Sequence, residues 1–171
     1  MAKTKVISVA NQKGGVGKST SVYCIGAGLA LDGKKVLLID VDPQGDLTKM
    51  LGLRKPHDLP RALGDVMSDV VSGKENDYDY VLLDCRPSLG MLVINALAAS
   101  DYVLIPVQAD YLAAEDMTEL VGTVQQIKRQ INPRLKIGGV FLTMANETNF
   151  RRDTVRAVKE NFGKHLPVLQ T

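Results

Sequence analysis

A glycine-rich segment that follows an apolar run near the start of the chain constrains the fold more than any other feature. The apolar run is Val6-Ile-Ser-Val-Ala10, and the glycine-rich segment is Lys13-Gly14-Gly15-Val16-Gly17-Lys18-Ser19-Thr20. Glycines let the backbone wrap closely around an anion, and successive N–H groups can then converge on phosphate oxygens where the next helix begins. The segment therefore predicts a strand, a nucleotide-phosphate cradle and a helix, in that order.

The side chains of this segment indicate an uncommon form of the phosphate cradle. Lys18 is placed to reach the β- and γ-phosphates, and the Ser19 hydroxyl is a predicted Mg²⁺ ligand. The general pattern has a glycine five residues before Gly17, and Gln12 stands there instead. The segment matches a deviant form in which a second lysine, Lys13, opens the loop.

Three further segments accompany the loop. They are Val36-Leu-Leu-Ile-Asp40-Val-Asp42-Pro-Gln44-Gly45, Tyr80-Val-Leu-Leu-Asp84 followed by Pro87-Ser-Leu-Gly90, and Asn11-Gln12 directly before the loop. With the loop, they resemble the ParA/MinD family of deviant-Walker ATPases, and within it the branch of chromosome and plasmid partition ParA (Soj-like) proteins. The resemblance implies a hydrolase that uses ATP and Mg²⁺ and is weakly active without its partner.

The resemblance also implies roles for individual residues. Nucleotide binding is expected of Lys13, Gly14, Gly15, Val16, Gly17, Lys18, Ser19 and Thr20. Metal binding is expected of Ser19, Asp40 and Asp84, where Asp84 acts through a water and Asp40 alternatively supports the switch backbone. Lys13, Lys18 and Asp42 are the expected catalytic residues. Asp42 orients the attacking water, and Lys13 reaches the nucleotide of the other subunit in a face-to-face dimer.

Apolar runs of strand length alternate with helix-period segments along the chain. The predicted strands lie near 4–10, 35–40, 79–84, 101–107 and 137–143, and the predicted helices near 18–31, 88–99, 113–131 and 152–162, with a short helix around 61–71. This alternation predicts an α/β fold, a P-loop NTPase with a mostly parallel β-sheet and helices on both faces. In the helix near 113–131, an apolar stripe from Met117 to Ile131 is predicted to face the core.

The length of 171 residues predicts a single P-loop ATPase domain, 1–171. Family members usually carry another strand and helix between the first switch and the Walker B strand, where this chain has only a shortened connecting segment, 51–77. They also usually continue beyond the equivalent of Thr171, so the C-terminal portion of the family fold is expected to be absent. The fold is therefore predicted to be shortened relative to the family.

Composition excludes several classes of protein. No apolar run reaches the roughly 18 residues that span a bilayer, and no signal-peptide core is present, so we expect a cytoplasmic protein with no membrane partner. Two cysteines are too few for a disulfide framework or a zinc site. Cys24 is predicted to lie in a helix core, and Cys85 to be a small residue beside Asp84.

Positive charge is concentrated in the second half of a chain whose net charge is only +2. Residues 128–164 carry nine Lys or Arg against three Asp or Glu. Arg152, Arg156 and Lys159 share one stripe of the predicted last helix. Such a stripe could contact DNA phosphates with little sequence preference, or it could be an ordinary solvated helix face.

These observations favour an ATPase of DNA segregation or partition. The expected protein forms a homodimer when ATP-bound, binds non-specific DNA in the nucleoid, and is stimulated to hydrolyse ATP by a ParB-like partner. A MinD-like positioning ATPase would need a C-terminal amphipathic helix, and the sequence shows none. A P-loop small-molecule kinase would use Lys18, Ser19 and Asp84 without needing Lys13. A non-hydrolysing nucleotide-binding regulator stays open.

Arg86 departs from the family pattern, which usually has proline at this place. Three roles are compatible with the sequence. The guanidinium could pair with Asp84, approach the γ-phosphate, or turn to solvent.

Overall fold

Five parallel strands form the centre of the molecule. The computed structural model describes residues 4–53, 78–108, 113–144, 156 and 167–169. The strands are β1 (Lys5–Val9), β2 (Val36–Asp40), β3 (Tyr80–Asp84), β4 (Tyr102–Gln108) and β5 (Lys136–Thr143), and their spatial order is β2-β3-β1-β4-β5. Because every neighbouring pair in this sheet is parallel, the carboxyl ends of the strands lie along one edge.

Helices cover both faces of this sheet. They are α1 (Lys18–Leu31), α2 (Asp46–Met50), α3 (Met91–Ala99) and α4 (Ala113–Gln130). Adjacent residues of a strand point to opposite faces, and Leu82 and Leu83 of β3 accordingly belong to different cores. Leu82 packs in a cluster with Val22 of α1 and Leu47 of α2. Leu83 belongs to the larger cluster on the other face, which includes Leu120 of α4.

A close helix–sheet contact fixes α1 over β2. A Cβ atom built on Gly26 would lie 2.8 Å from Cδ2 of Leu38, which is closer than real Cβ contacts. Glycine at this position lets the helix approach the strand. The contact holds α1, and the loop that precedes it, over the β2, β3 and β1 side of the sheet.

Residues 167–169 lie alongside β5. The backbone N–H of Val140 donates to the carbonyl of Pro167 at 2.8 Å, and the N–H of Leu169 donates to the carbonyl of Val140 at 2.8 Å. Leu169 packs onto Gly139, where a Cβ atom would lie 2.7 Å from its side chain. The sheet is thereby extended by one short parallel bridge.

The predicted α/β fold with a parallel sheet is confirmed, and each predicted strand is found within one residue of its expected bounds. The helix α2 was not predicted. The predicted helices around 61–71 and 152–162 lie outside the described residues, apart from Arg156, which is helical and exposed. The placement of Ile131 in the core is wrong, because α4 ends at Gln130 and Ile131 is 55% exposed.

Among the described helices, none is both long enough and apolar enough to cross a bilayer.

Candidate nucleotide-binding site

The loop between β1 and α1 forms a cradle at the carboxyl edge of the sheet. Gly15 and Gly17 adopt φ angles of 74° and 79°, a left-handed conformation that other residues rarely adopt, and this explains their place in the motif. A cavity of about 270 Å³ opens above the loop. Its lining includes Gly14, Gly15, Gly17, Lys18, Ser19, Thr20 and Asp42. The structure thus brings most of the predicted site residues into one space.

Two polar side chains hold this loop in place from the neighbouring strands. Asn11 is buried, donates from Nδ2 to the carbonyl of Pro106 at 2.7 Å, and accepts the backbone N–H of Lys13 on Oδ1 at 2.9 Å. At the end of β5, the Thr143 hydroxyl donates to the carbonyl of Val16 at 2.8 Å. The Val16 side chain is itself buried, so the loop is anchored on both sides.

Lys18 points its ammonium group into the cradle. The residue is only 7% exposed, and its Nζ donates to the carbonyl of Lys13 at 2.8 Å. Burial lowers the pKa of Lys18, while the nearby carboxylates of Asp84 and Asp42 partly offset the effect. A partly desolvated ammonium group that lines a cavity suits the binding of a phosphate.

Lys13 opens the loop and is not among the residues that line the cradle. The residue is half-buried. Its backbone N–H donates to the Asn11 side chain, and its carbonyl accepts the Lys18 ammonium group. These bonds fix the backbone from which the side chain extends. The role of that side chain toward a second subunit stays a prediction.

Asp84 is the most unusual group of the site. It ends β3, is 1% exposed, and its two carboxylate oxygens have no hydrogen-bond partner among the described residues. Burial raises the pKa of Asp84 to about 6, and the nearby Ser19 hydroxyl and Lys18 only partly oppose the rise. A buried carboxylate without partners is costly. It fits a residue whose partner is a bound cation or its water.

The residues around Asp84 fit Mg²⁺ rather than a metal held by protein alone. Within the described part of the chain, no three His, Cys, Asp or Glu side chains come together as a metal site. Mg²⁺ typically keeps waters and is held by one or two carboxylates together with substrate phosphates. The Ser19 hydroxyl and Asp84 can supply the protein side of such a site, and the cradle places the phosphates beside them.

Asp40 and Asp42 follow β2 and differ in their surroundings. Asp40 pairs with Asp84 in the strand register, and its oxygens accept hydrogen bonds from the Asp42 N–H and from Thr48. Asp42 lines the cavity, and its Oδ1 accepts the N–H of Gln44 at 3.1 Å. These contacts favour the second of the two roles expected for Asp40, support of the switch backbone, while its metal role stays a prediction.

Other residues singled out in the sequence lie partly outside the cradle. Arg86 is exposed and is not among the lining residues, and its role toward Asp84 or the γ-phosphate stays a prediction. The placement of Cys24 in a helix core is wrong, because Cys24 is exposed and lines an apolar cavity beside α1. Cys85 is buried and lines the cradle, and burial raises the pKa of its thiol to about 12. Of the basic stripe, Arg152 and Lys159 lie outside the described residues.

Several residues that shape the site were not predicted from the sequence. Thr48 and Thr143 belong to no motif, and their roles depend on the tertiary contacts with Asp40 and Val16. Asp46 and Met50 of α2 also line the cavity. The one sequence signal for α2 is the glycine that precedes it. Gly45 adopts a φ of 66° where the helix begins.

A second, apolar cavity of about 500 Å³ adjoins the cradle. It shares Gly17, Thr20 and Met144 with the cradle and extends between α1 and β5 to Phe141 and Leu169. The two spaces are therefore continuous around the start of α1.

Known proteins are similar in sequence to most of this chain. A family model described as an AAA domain matches residues 4–75 and 61–137. The sporulation initiation inhibitor protein Soj of Bacillus subtilis is 36% identical over 203 residues, which cover 92% of this chain and 80% of that protein. The chain belongs to the ParA/MinD family of P-loop ATPases. The chromosome-partitioning ATPase Soj of Treponema pallidum is a further relative of this ParA/MinD family member, 37% identical over 204 residues and matched over 95% of this chain and 80% of its own.

Solved structures resemble the fold of this ParA/MinD family member closely. Cobyrinic acid a,c-diamide synthase from Mycobacterium smegmatis, with bound ADP and magnesium, superposes with a TM-score of 0.86 at 33% identity, covering 98% of this chain and 85% of that one. The same enzyme with an ATP analogue and magnesium gives a TM-score of 0.85. A plasmid partition protein from Borrelia burgdorferi, at 24% identity and a TM-score of 0.76, shares the fold.

This ParA/MinD family member is shorter than its relatives within the matched region. The alignment with Soj spans 203 residues, while 92% of 171 residues is about 157, so about 46 aligned positions have no counterpart here. That the shortening falls at 51–77 stays a prediction.

Proposed function

We propose that the protein is a partition-type ATPase switch. It binds ATP and Mg²⁺, dimerises, binds DNA without sequence preference, and is released when a ParB-like partner stimulates hydrolysis. The observation that carries the proposal is the pair of lysines in one loop. Lys18 lines the cradle, while Lys13, which opens the loop, is not among the lining residues and can serve the nucleotide of a second subunit.

The cradle provides for the phosphates and the metal. The N–H groups of the loop and the Lys18 ammonium bind the β- and γ-phosphates, and Ser19 and Asp84 hold Mg²⁺. The bound ion neutralises charge that develops on the phosphate oxygens during transfer. Asp42 lines the same cavity and accepts the Gln44 N–H on one oxygen, a bond that orients its carboxylate toward an attacking water.

The apolar cavity provides space for the nucleoside. Thr20 and Gly17 line both spaces, so a nucleotide whose phosphates occupy the cradle can extend past them. Aromatic bases are stabilised by apolar walls, and Phe141 and Leu169 supply part of that wall. In this proposal the base lies between α1 and β5.

Exposed apolar side chains at the rim support a second subunit. Met50 and Met144 line the cradle and are 42% and 64% exposed, and Met91 at the start of α3 is 69% exposed. Apolar surface at the edge of a polar site commonly marks an interaction surface. A second copy placed over the cradle would cover this rim and bring its own Lys13 to the nucleotide.

DNA binding supplies the test. We would measure binding of random-sequence duplex DNA at low salt with ATP–Mg²⁺, with ADP–Mg²⁺ and without nucleotide, for the unsubstituted protein and for Lys13→Ala. Lys34→Ala is the matched control, because Lys34 is exposed and lies beyond the opposite end of α1. We expect binding only with ATP, lost in Lys13→Ala, retained in Lys34→Ala, and weakened steeply by salt.

Other outcomes would contradict the proposal in distinct ways. DNA binding that is equally strong with and without nucleotide would mean that the basic residues attract DNA by charge alone, without an ATP-dependent switch. An ATP-independent monomer that phosphorylates a metabolite would indicate a small-molecule kinase. Nucleotide binding without hydrolysis would indicate a silent regulator, and recruitment to lipid vesicles with ATP would indicate a MinD-like switch.

A further inference from the structure

Both oxygens of the Asp40 carboxylate accept hydrogen bonds from the segment that follows it. Its Oδ1 accepts the N–H of Asp42 at 3.2 Å, and its Oδ2 accepts both the N–H of Thr48 at 3.0 Å and the Thr48 hydroxyl at 2.8 Å. Thr48 is 7% exposed, so its hydroxyl bond is shielded from water. One carboxylate thus closes the segment 40–48 into a loop.

This closed loop and the end of α2 carry side chains that line the cradle. Asp42 lies within it, and Asp46 and Met50 line the same cavity from α2. A five-residue helix has little stability of its own. The position of α2 is therefore set by contacts outside the helix, which are the burial of Leu47 and the bonds from Thr48 to Asp40.

The geometry also separates two carboxylates that face the same side of the sheet. Asp40 and Asp84 are neighbours in the strand register, and like charges at this spacing oppose each other. The bonds to Thr48 turn Asp40 toward α2. Asp84 keeps its oxygens without a described partner. One carboxylate is committed to the backbone, and the other remains available to a cation.

We propose that Asp40 and Thr48 form a latch that positions Asp42 for hydrolysis, and that Asp40 acts as a positioning residue rather than a metal ligand. The inference rests on the proposed ATPase function and adds to it the device that orders the first switch. The latch acts through Asp42 and does not contact the nucleotide. Its loss therefore affects turnover more than nucleotide or Mg²⁺ binding.

Thr48→Val is the main variant, because valine keeps the shape and the backbone N–H and removes only the hydroxyl. We expect single-turnover ATP hydrolysis to fall about tenfold, while the ATP dissociation constant and the half-saturating Mg²⁺ concentration stay within about twofold. Thr48→Ser restores most of the rate. Thr4→Val is the matched control, because the Thr4 hydroxyl also makes one bond, to the Tyr78 carbonyl at 2.6 Å, at the opposite edge of the sheet.

Two readouts do not depend on turnover. Hydrogen exchange of the amides at 41–50 in the nucleotide-free protein should accelerate in Thr48→Val and not in Thr4→Val. Binding of a fluorescent ATP analogue at varied Mg²⁺ separates the two roles of Asp40. If Asp40 is a positioning residue, the Asp40→Asn variant hydrolyses ATP slowly and has an unchanged Mg²⁺ requirement. If Asp40 is a metal ligand, the same variant needs about tenfold more Mg²⁺ or above.

Each adverse outcome has its own meaning. An unchanged hydrolysis rate in Thr48→Val, or a raised Mg²⁺ requirement in Asp40→Asn, would overturn the latch while leaving the ATPase intact. Unsubstituted protein that binds ATP–Mg²⁺ and hydrolyses none would instead overturn the proposed ATPase, and with it the catalytic role of the latch.

Discussion

At the scale of single residues, Asp84 shows how a functional site opposes stability. The ordinary pKa of this carboxyl is 3.8, and burial raises it to about 6 in the folded protein. The folded state therefore binds the proton more tightly than the unfolded chain does. It follows that Asp84 weakens the fold as the pH rises from about 4 to about 6, and the full cost remains above that range.

This linkage predicts that the stabilising effect of an Asp84→Asn substitution depends on pH in the protein without nucleotide and Mg²⁺. Asp84→Asn should raise the free energy of unfolding by about 3 kcal/mol at pH 7 and by little at pH 4. Denaturant titrations across this range would measure the difference. Curves for the two proteins that run parallel from pH 4 to 7 would show that the carboxyl titrates normally.

The same group predicts how Mg²⁺ binding responds to pH. An ion binds the carboxylate and not the carboxylic acid, so the half-saturating Mg²⁺ concentration should fall as the pH rises from 5 to 7 through the pKa of about 6. Titration of Mg²⁺ against a bound fluorescent ATP analogue would follow it. A half-saturating Mg²⁺ concentration that does not change with pH would mean that Asp84 does not bind the ion.

Thr143 is a residue through which a neighbouring strand controls the loop. Thr143→Val removes the hydroxyl bond to Val16 while keeping a methyl group near Gly17. The loss of one hydrogen bond of roughly 1 kcal/mol should weaken ATP binding about fivefold. Fluorescence titration of ATP gives the constant, and Thr143→Ser, which keeps the hydroxyl, should bind nearly as the unsubstituted protein does.

At the scale of elements, the packing of α1 on β2 decides where the cradle lies. Gly26 meets Leu38 so closely that any side chain must displace it, whereas Gly28, two residues later, has no atom within 4 Å of its Cβ position. The helix thus tolerates side chains on one face and excludes them on the other. The distance between the sheet and the loop that precedes α1 depends on this contact.

A matched pair of substitutions tests this packing. Both Gly26→Val and Gly28→Val place a β-branched residue in α1, so they share the same change in helix propensity. We expect Gly26→Val to be less stable than Gly28→Val by about 1–3 kcal/mol, because only the first overpacks the helix–sheet contact. Thermal or denaturant unfolding would compare them, and equal stabilities would mean that Leu38 moves aside without cost.

At the scale of the whole molecule, the order of the strands creates the site. The central strand β1 lies between β3 and β4; the connection after β1 runs to β2 on one side, and the connection after β3 runs to β4 on the other. Ligands of open α/β sheets bind at such a switch point, outside the carboxyl ends of the strands. The loop after β1, the two carboxylates after β2 and β3, and Thr143 of β5 meet there.

A site built from the ends of several strands couples ligand binding to the whole fold. At an ATP concentration of about 100 times the dissociation constant, ATP–Mg²⁺ should stabilise the folded state by about 2.7 kcal/mol. The melting temperature should rise accordingly, and removal of Mg²⁺ by a chelator should diminish the rise. Lys18→Ala should abolish it and Lys34→Ala should not; a rise that persists in Lys18→Ala would place the nucleotide elsewhere.

The sequence by itself determined the alternation of strands and helices, the loop and the carboxylates at the strand ends. These features follow from local rules: apolar runs predict buried parallel strands, and glycines with φ near 75° permit the cradle. It did not predict α2, whose five residues are held by Leu47 and Thr48.

Only the tertiary structure decided what those residues contact. It left the Asp84 oxygens without described partners, gave the oxygens of Asp40 to the Thr48 segment, and exposed Cys24. A motif specifies which groups lie near each other along the chain. The burial of a carboxylate and the identity of its donors depend on residues distant in sequence, such as the bond from Thr143 to Val16, and these are brought together only by folding.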